Sequence, residues 1–211
     1  MSVRSFVHSA PLLLLALTAC GSKKPEADPA KVQQLAKAMA NNPPPFAGMR
    51  ACVTADFLQP SMSQPTLLRL AKEEVPDTPE RAAWMNPPEV DVSYARVLVD
   101  ATDEKLRRQA AAEFLSAKAH LVYRVDMVNV PMALGVKELK RGAVGIRAIG
   151  YDPTGNPICV KQFTVQNDKA KSNWAMQTSD KAVIDPAVAQ ALRDDLKVQL
   201  LAKIDQLRTA P

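Results

Sequence analysis

Ala143-Val144-Gly145-Ile146-Arg147-Ala148-Ile149-Gly150-Tyr151, then Asp152-Pro153-Thr154-Gly155-Asn156-Pro157, then Ile158-Cys159-Val160-Lys161-Gln162-Phe163-Thr164-Val165-Gln166, is the stretch that decides the fold. Two runs rich in β-branched and apolar residues flank a six-residue connector with proline early and glycine late. That is the chemistry of a hairpin turn, so antiparallel strands are expected over 143–151 and 158–166. Gly142, Gly145 and Gly150 lie in or beside the first strand and predict bulges or a close approach of backbone to a helix or ligand. Alternation in the second strand places Cys159 on one face with Lys161 and Phe163.

Outward from the hairpin, 120–130 reads as a strand. Leu121, Tyr123, Val125 and Met127 share one face, while Val122, Arg124, Asp126 and Val128 share the other. Before it, Leu106, Ala110, Ala111, Phe114 and Leu115 form one apolar stripe of a helix over 103–118, for which Asp100 to Asp103 offer capping choices. After the hairpin, 167–184 is polar, with Trp174 and Met176 as possible anchors. Asp185-Pro186 then starts a long helix to about 208, in which Val188, Leu192, Leu196, Leu200, Ile204 and Leu207 recur at four, four, four, four and three residues.

Further upstream, Val90, Val92 and Tyr94 alternate with Asp91 and Ser93, and Val97-Leu98-Val99 follows, so 89–99 reads as another strand. Ala51-Cys52-Val53-Thr54-Ala55 reads as a short strand carrying Cys52 into the core. Between them 59–64 is turn-rich, a helix follows from about Pro65 to Glu74, and Thr78-Pro79-Glu80-Arg81 opens a brief helical piece near Met85, stopped at Asn86-Pro87-Pro88. The interval 59–88, rich in Pro and Met, is the least regular: it is either a surface excursion filling the core's edge with Trp84 or a binding surface. The expected architecture is α+β: a mainly antiparallel sheet of about four to five strands with two long helices, 103–118 and 185–208, packed on one face.

The first residues set the address. Behind Arg4 come the apolar run Ala10-Pro11-Leu12-Leu13-Leu14-Leu15-Ala16-Leu17, two small residues and Cys20, the order of a secretory signal too short to span a bilayer as a stable helix. Leu17-Thr18-Ala19-Cys20 resembles the lipobox of bacterial lipoproteins. The resemblance implies cleavage before Cys20, diacylglycerol on its thiol and acylation of the new amino terminus, a palmitate-type membrane anchor. Gly21, where an Asp would favour inner-membrane retention in the enterobacterial sorting rule, points to the outer membrane with the protein facing the periplasm.

The expected organisation is thus a signal peptide over 1–19, a lipidated tether over 20–45 and one domain over 46–211. Inside the tether, Asp28-Pro29 and the spacing Val32, Leu35, Ala36, Met39 predict a short helix ended by Asn41-Asn42. It lies on the membrane, on the domain, or marginally formed in a flexible leader. Pro43-Pro44-Pro45 is stiff and extended.

With Cys20 lipidated, Cys52 and Cys159 remain in a disulfide-permissive compartment, and an even pair suggests a bridge. Two buried thiols, or a nucleophilic cysteine needing a basic partner, are the alternatives. His120 is the one histidine after the signal, and its place at a strand start argues against a catalytic triad. Two cysteines and a histidine without ligand spacing make no metal set, Walker and dinucleotide glycine patterns are absent, and no cofactor is expected. Asp126 stands out as an acid beside Arg124 in an apolar strand; the ordinary reading is that both face solvent. The formal charge is +5, and the basic residues are interspersed with acids, so no nucleic-acid arm is present.

The β-α-β-β-β-α order from residue 89 is loosely similar to small envelope lipoproteins that assist transport or assembly machines, such as auxiliary lipoproteins of ABC-type lipid transporters and lipoprotein activators of peptidoglycan synthases. The resemblance implies a non-enzymatic accessory that binds an envelope protein through a sheet edge or the 59–88 region. The alternative is a carrier or sensor of a small apolar or lipid ligand.

Overall fold

The computed structural model describes residues 24–42, 48–75, 90–135, 138–169 and 186–209. Leu17 to Cys20, the prolines at 43–45, the helical piece expected near 78–85, Trp84, Trp174 and Met176 lie outside them. The fold is mixed α and β, with a four-stranded mixed sheet and six helices among the described residues. In chain order the elements are α1 (Pro29–Asn41), α2 (Thr54–Phe57), β1 (Ser61–Ser63), α3 (Gln64–Ala71), α4 (Ser93–Asp100) and α5 (Glu104–Ser116), followed by β2 (His120–Asn129), β3 (Met132–Gly135), β4 (Glu138–Lys140), β5 (Ala143–Tyr151), β6 (Pro157–Gln166) and α6 (Pro186–Thr209). No helix among the described residues is long and apolar enough to cross a membrane.

The expected hairpin is β5–β6, paired antiparallel from Ala143↔Gln166 to Tyr151↔Pro157. Its turn is held by Asp152, whose Oδ1 accepts from the backbone N–H of Thr154 and of Asn156, both at 2.9 Å, in an Asx arrangement. Antiparallel β2 lies beside β5, and β1 pairs in parallel with β2, giving the order β1-β2-β5-β6. Three-residue, polar β1 was not expected; it arises inside 59–64, read from the sequence as turn. The interval 59–88, where it is described, is regular structure: β1 and α3 bury Met62, Leu67, Leu70 and Ala71.

Three expectations are corrected by the fold. The two long helices pack on opposite faces of the sheet. Phe114, Ala110 and Ala111 of α5 join α1, α3 and α4 over Val122, Ile149 and Tyr151, whereas Leu196, Leu200 and Ile204 of α6 cover Leu121, Tyr123, Ile146 and Ala148. The reason is in β5: apart from Arg147 all its residues are apolar or glycine, and such a strand is buried on both sides.

The second correction is 89–99, which is not a strand. Helix α4 occupies most of it and buries Ala95 and Leu98, one helical turn apart. The third is 51–55: Ala51 makes an isolated parallel bridge to Val160, and α2 begins at Thr54. Cys52 is carried into the core as expected.

The leader helix α1 packs on the domain. Asp28 Oδ1 caps it by accepting from Ala30 N–H at 2.9 Å, and Val32, Ala36 and Met39 are buried in the core that holds Phe114. The β5–β6 turn clamps its far end. Asn42 Nδ2 donates to Asn156 Oδ1 at 3.1 Å, and Gly155, at φ +88°, approaches so closely that an added Cβ would lie 2.8 Å from Ala38 Cβ. Gly155→Ala is therefore expected to cost about 1 to 3 kcal/mol, from strained backbone and a steric clash together. Limited proteolysis should show faster cleavage within residues 24–42, and an unchanged digestion rate would refute the clamp.

Candidate functional site

The sequence singled out Cys52 and Cys159, His120 and Asp126; the structure puts the first two together and leaves the others in separate environments. Cys52 and Cys159 form a disulfide with sulfurs 2.11 Å apart and a sequence separation of 107. Gly150 accommodates it, because a Cβ there would lie 2.6 Å from Cys159 Sγ. The close approach expected at this glycine is thus to a sulfur. Asp56 is near both sulfurs, but paired cysteines offer no thiolate to a metal. Asp56 is engaged elsewhere: Arg50 donates to its two oxygens at 2.7 and 2.8 Å, which holds the carboxyl below its usual range.

His120 opens β2 and is 1 % exposed. Its ring stacks on Phe114 with centroids 4.2 Å apart, and neither ring nitrogen has a hydrogen-bond partner among the described residues. Burial pushes its pKa down to about 4, so the imidazole is neutral at pH 7. No acid or nucleophile among the described residues is bonded to it, and the contact it makes is packing against Phe114.

Asp126 sits at a bulge in β2, where the register shifts between Val125 and Met127. The bulge overturns the expected alternation beyond it. Met127 now pairs with Gly145 and shares a face with Val122, and Val128 pairs with Val144 on the face of Leu121. Asp126 lies 3.2 Å from Arg124 and 2.8 Å from Arg147, an ion triad across two strands. Arg147 was missed by sequence reasoning, although it is the one charge in an otherwise apolar strand.

These residues mark a boundary. On this face the helical core reaches Val122, Ile149, Tyr151 and Val160. Beyond it come the triad, Met127 at 42 % exposure, and the exposed Gln162 and Thr164. The adjoining edge of β6 is only partly paired. Val160 exchanges backbone hydrogen bonds with Arg50 and Cys52, each at 3.1 Å. Past Val160, period-two geometry aims the backbone N–H and C=O groups of Gln162, Thr164 and Gln166 the same way, and among the described residues these have no partner. From the same end, β3 and β4 continue β2 and β5 as a separate two-stranded ribbon.

A second concavity lies on the helical side. Residues of α1, α3, α4 and α5 line a cleft of about 470 Å³, with Val32, Leu70, Leu98 and Val99 as apolar lining and Gln33, Arg69, Lys72, Glu73 and Arg107 as polar lining. Comparison of the chain with protein-family models, with curated proteins and with solved structures finds no match in any of the three.

Proposed function

We propose that this chain is a lipid-anchored, non-enzymatic accessory of the bacterial envelope, held at the outer membrane and facing the periplasm, which docks a protein partner on its open sheet edge. The observation that carries the reading is the outer edge of β6 from Gln162 to Gln166, which has no partner among the described residues and is bordered by the charged end of the sheet face. An exposed edge offers a row of aligned donors and acceptors to an extended segment of a partner, and side chains on the neighbouring face supply selectivity. Arg124, Arg147 and Asp126 would provide that charge pattern here. The anchor reading rests on Leu17 to Cys20, followed by a domain whose first described helix begins at Pro29.

Each half of the proposal has its own test. Cys20→Ser should move the protein out of the membrane fraction or leave it unprocessed, and unchanged fractionation and mass would remove the anchor. Thr164→Pro deletes an outward N–H that no described residue uses, a position where edge strands tolerate proline. It should leave the melting temperature within a few degrees of the parent while abolishing co-purification of the partner that the parent retains from solubilised envelopes. Equal retention by both would rule the edge out as the docking site.

A further inference from the structure

The cleft between the helices is lined by more basic than acidic side chains, and two of its cations have no partner among the described residues. Arg69, Lys72 and Arg107 line it against a single acid, Glu73. Glu73 is itself bonded, its Oε1 accepting from Asn41 Nδ2 at 3.1 Å, and Arg107 leans on Glu104 at 3.4 Å across an exposed helical turn. Arg69 and Lys72 side chains have no ion pair or hydrogen bond among the described residues. Val32 and Leu98, both buried, give the same cleft an apolar lining. A volume of about 470 Å³ falls in the range of small-molecule sites and suits one headgroup or sugar-sized moiety.

A guanidinium and an ammonium group without a partner among the described residues, beside an apolar wall, fit a molecule with a phosphate at one end and hydrocarbon at the other. Position favours a membrane source. Pro29 and Ala30 of α1 line the cleft, and only eight residues separate Pro29 from Cys20. Even fully extended, nine residue steps reach roughly 30 Å, so a chain anchored at Cys20 keeps this cleft within that distance of the bilayer surface.

We propose that the cleft binds the phosphate-bearing headgroup of an anionic membrane lipid, with Arg69 and Lys72 on the phosphate and Arg107 at its rim. The lipid source rests on the anchor reading; the phosphate site does not. The test is native mass spectrometry of the full processed protein in an uncharged maltoside detergent, titrated separately with phosphatidylglycerol, phosphatidylcholine and inorganic phosphate. One phosphatidylglycerol should be retained per chain, more tightly than phosphatidylcholine. The double variant Arg69→Glu, Lys72→Glu should weaken retention at least tenfold, and Lys37→Glu, on α1 but outside the cleft, should leave it unchanged. Arg107→Glu alone, expected to weaken retention several-fold, keeps the test valid should the double variant fold poorly. Undiminished retention in the charge-reversed variants overturns the site, and inorganic phosphate binding as tightly as phosphatidylglycerol overturns the lipid source. Neither result bears on the β6 edge, which Thr164→Pro tests separately.

Discussion

Replacing Cys52 and Cys159 together by alanine is expected to lower the stability of the domain by about 4 to 5 kcal/mol, the largest effect of any pair of side chains described here. The bridge links residues 107 apart, so in the unfolded chain it removes the freedom of more than half the molecule. It also fixes the incoming strandlet at Arg50 to Cys52 against Val160, the contact that closes one end of the β6 edge. A domain of this size has roughly 5 to 15 kcal/mol in total, so much of its margin is at stake. Urea unfolding of the double variant, compared with the oxidised parent, measures the loss. A change below 1 kcal/mol would show that neither loop closure nor the packing around Gly150 depends on the bond.

The second large effect is pH-dependent and comes from His120. In the unfolded chain the imidazole takes up a proton near its ordinary pKa of 6.5, whereas in the fold burial holds it down to about 4. Between these values the unfolded state binds more protons, so stability falls as the pH is lowered through this window. The contribution is fully present above pH 6.5 and fully lost below about pH 4, an interval worth roughly 3 kcal/mol. His120→Phe keeps a ring against Phe114 and removes the titration. Chemical denaturation from pH 4 to 7 should show a markedly shallower decline on the acid side for the variant than for the parent. Parallel curves would mean that His120 takes up its proton at the same pH in the folded and the unfolded chain, and would refute the burial effect.

The parts of the fold legible in the sequence are those where one local signal was unopposed. The Asp152 to Pro157 turn and its flanking strands were readable because turn chemistry and β-branched content agreed. Helix α6 was readable because five of its stripe residues, Val188 to Ile204, are buried; the sixth buried residue, Asp195, lies off the stripe. Asp28 was readable as a cap and Asp103 as one of the choices from 100 to 103; Asp28 accepts from one backbone N–H and Asp103 from two at the start of their helices.

The failures come from segments too short to show a period. Val90, Val92 and Tyr94 alternate over five residues, but Ala95 and Leu98 are the buried pair, and a few residues cannot separate period two from 3.6. Strand β1 carries two serines, and its stability comes from distant partners: parallel pairing with β2 and the Ser61 hydroxyl donating to Val90 carbonyl at 2.7 Å. Ser63 N–H and the Thr66 hydroxyl donate to buried Asp91, at 2.6 and 2.7 Å, tying the start of α3 to the segment before α4. No spacing rule predicts such a contact between residues 25 or more apart. The two-sided cover of β5, by contrast, was written in its nearly unbroken apolar run and was overlooked in favour of a one-faced sheet.

The candidate site was half legible. Asp126 was noticed for its chemistry, but the bulge that joins it to Arg147 depends on pairing with β5 and has no signature in β2 alone. Alternation in β6 placed Cys159 with Phe163 on one face, and the structure shows Gln162, Thr164 and Gln166 exposed. That its edge has no partner among the described residues could be learned only from the sheet order.

The most direct test of the account is therefore site-specific photo-crosslinking in living cells from the full-length protein. A photoreactive residue is placed in turn at Gln162 and Thr164 on the outer edge of β6 and, as controls, at Glu113 on α5 and Gln206 on α6. The account predicts one adduct of the same mass from both edge positions, none from the controls, and its disappearance when Arg147→Glu is added. Adducts from Glu113 or Gln206 with none from Gln162 and Thr164 would contradict it.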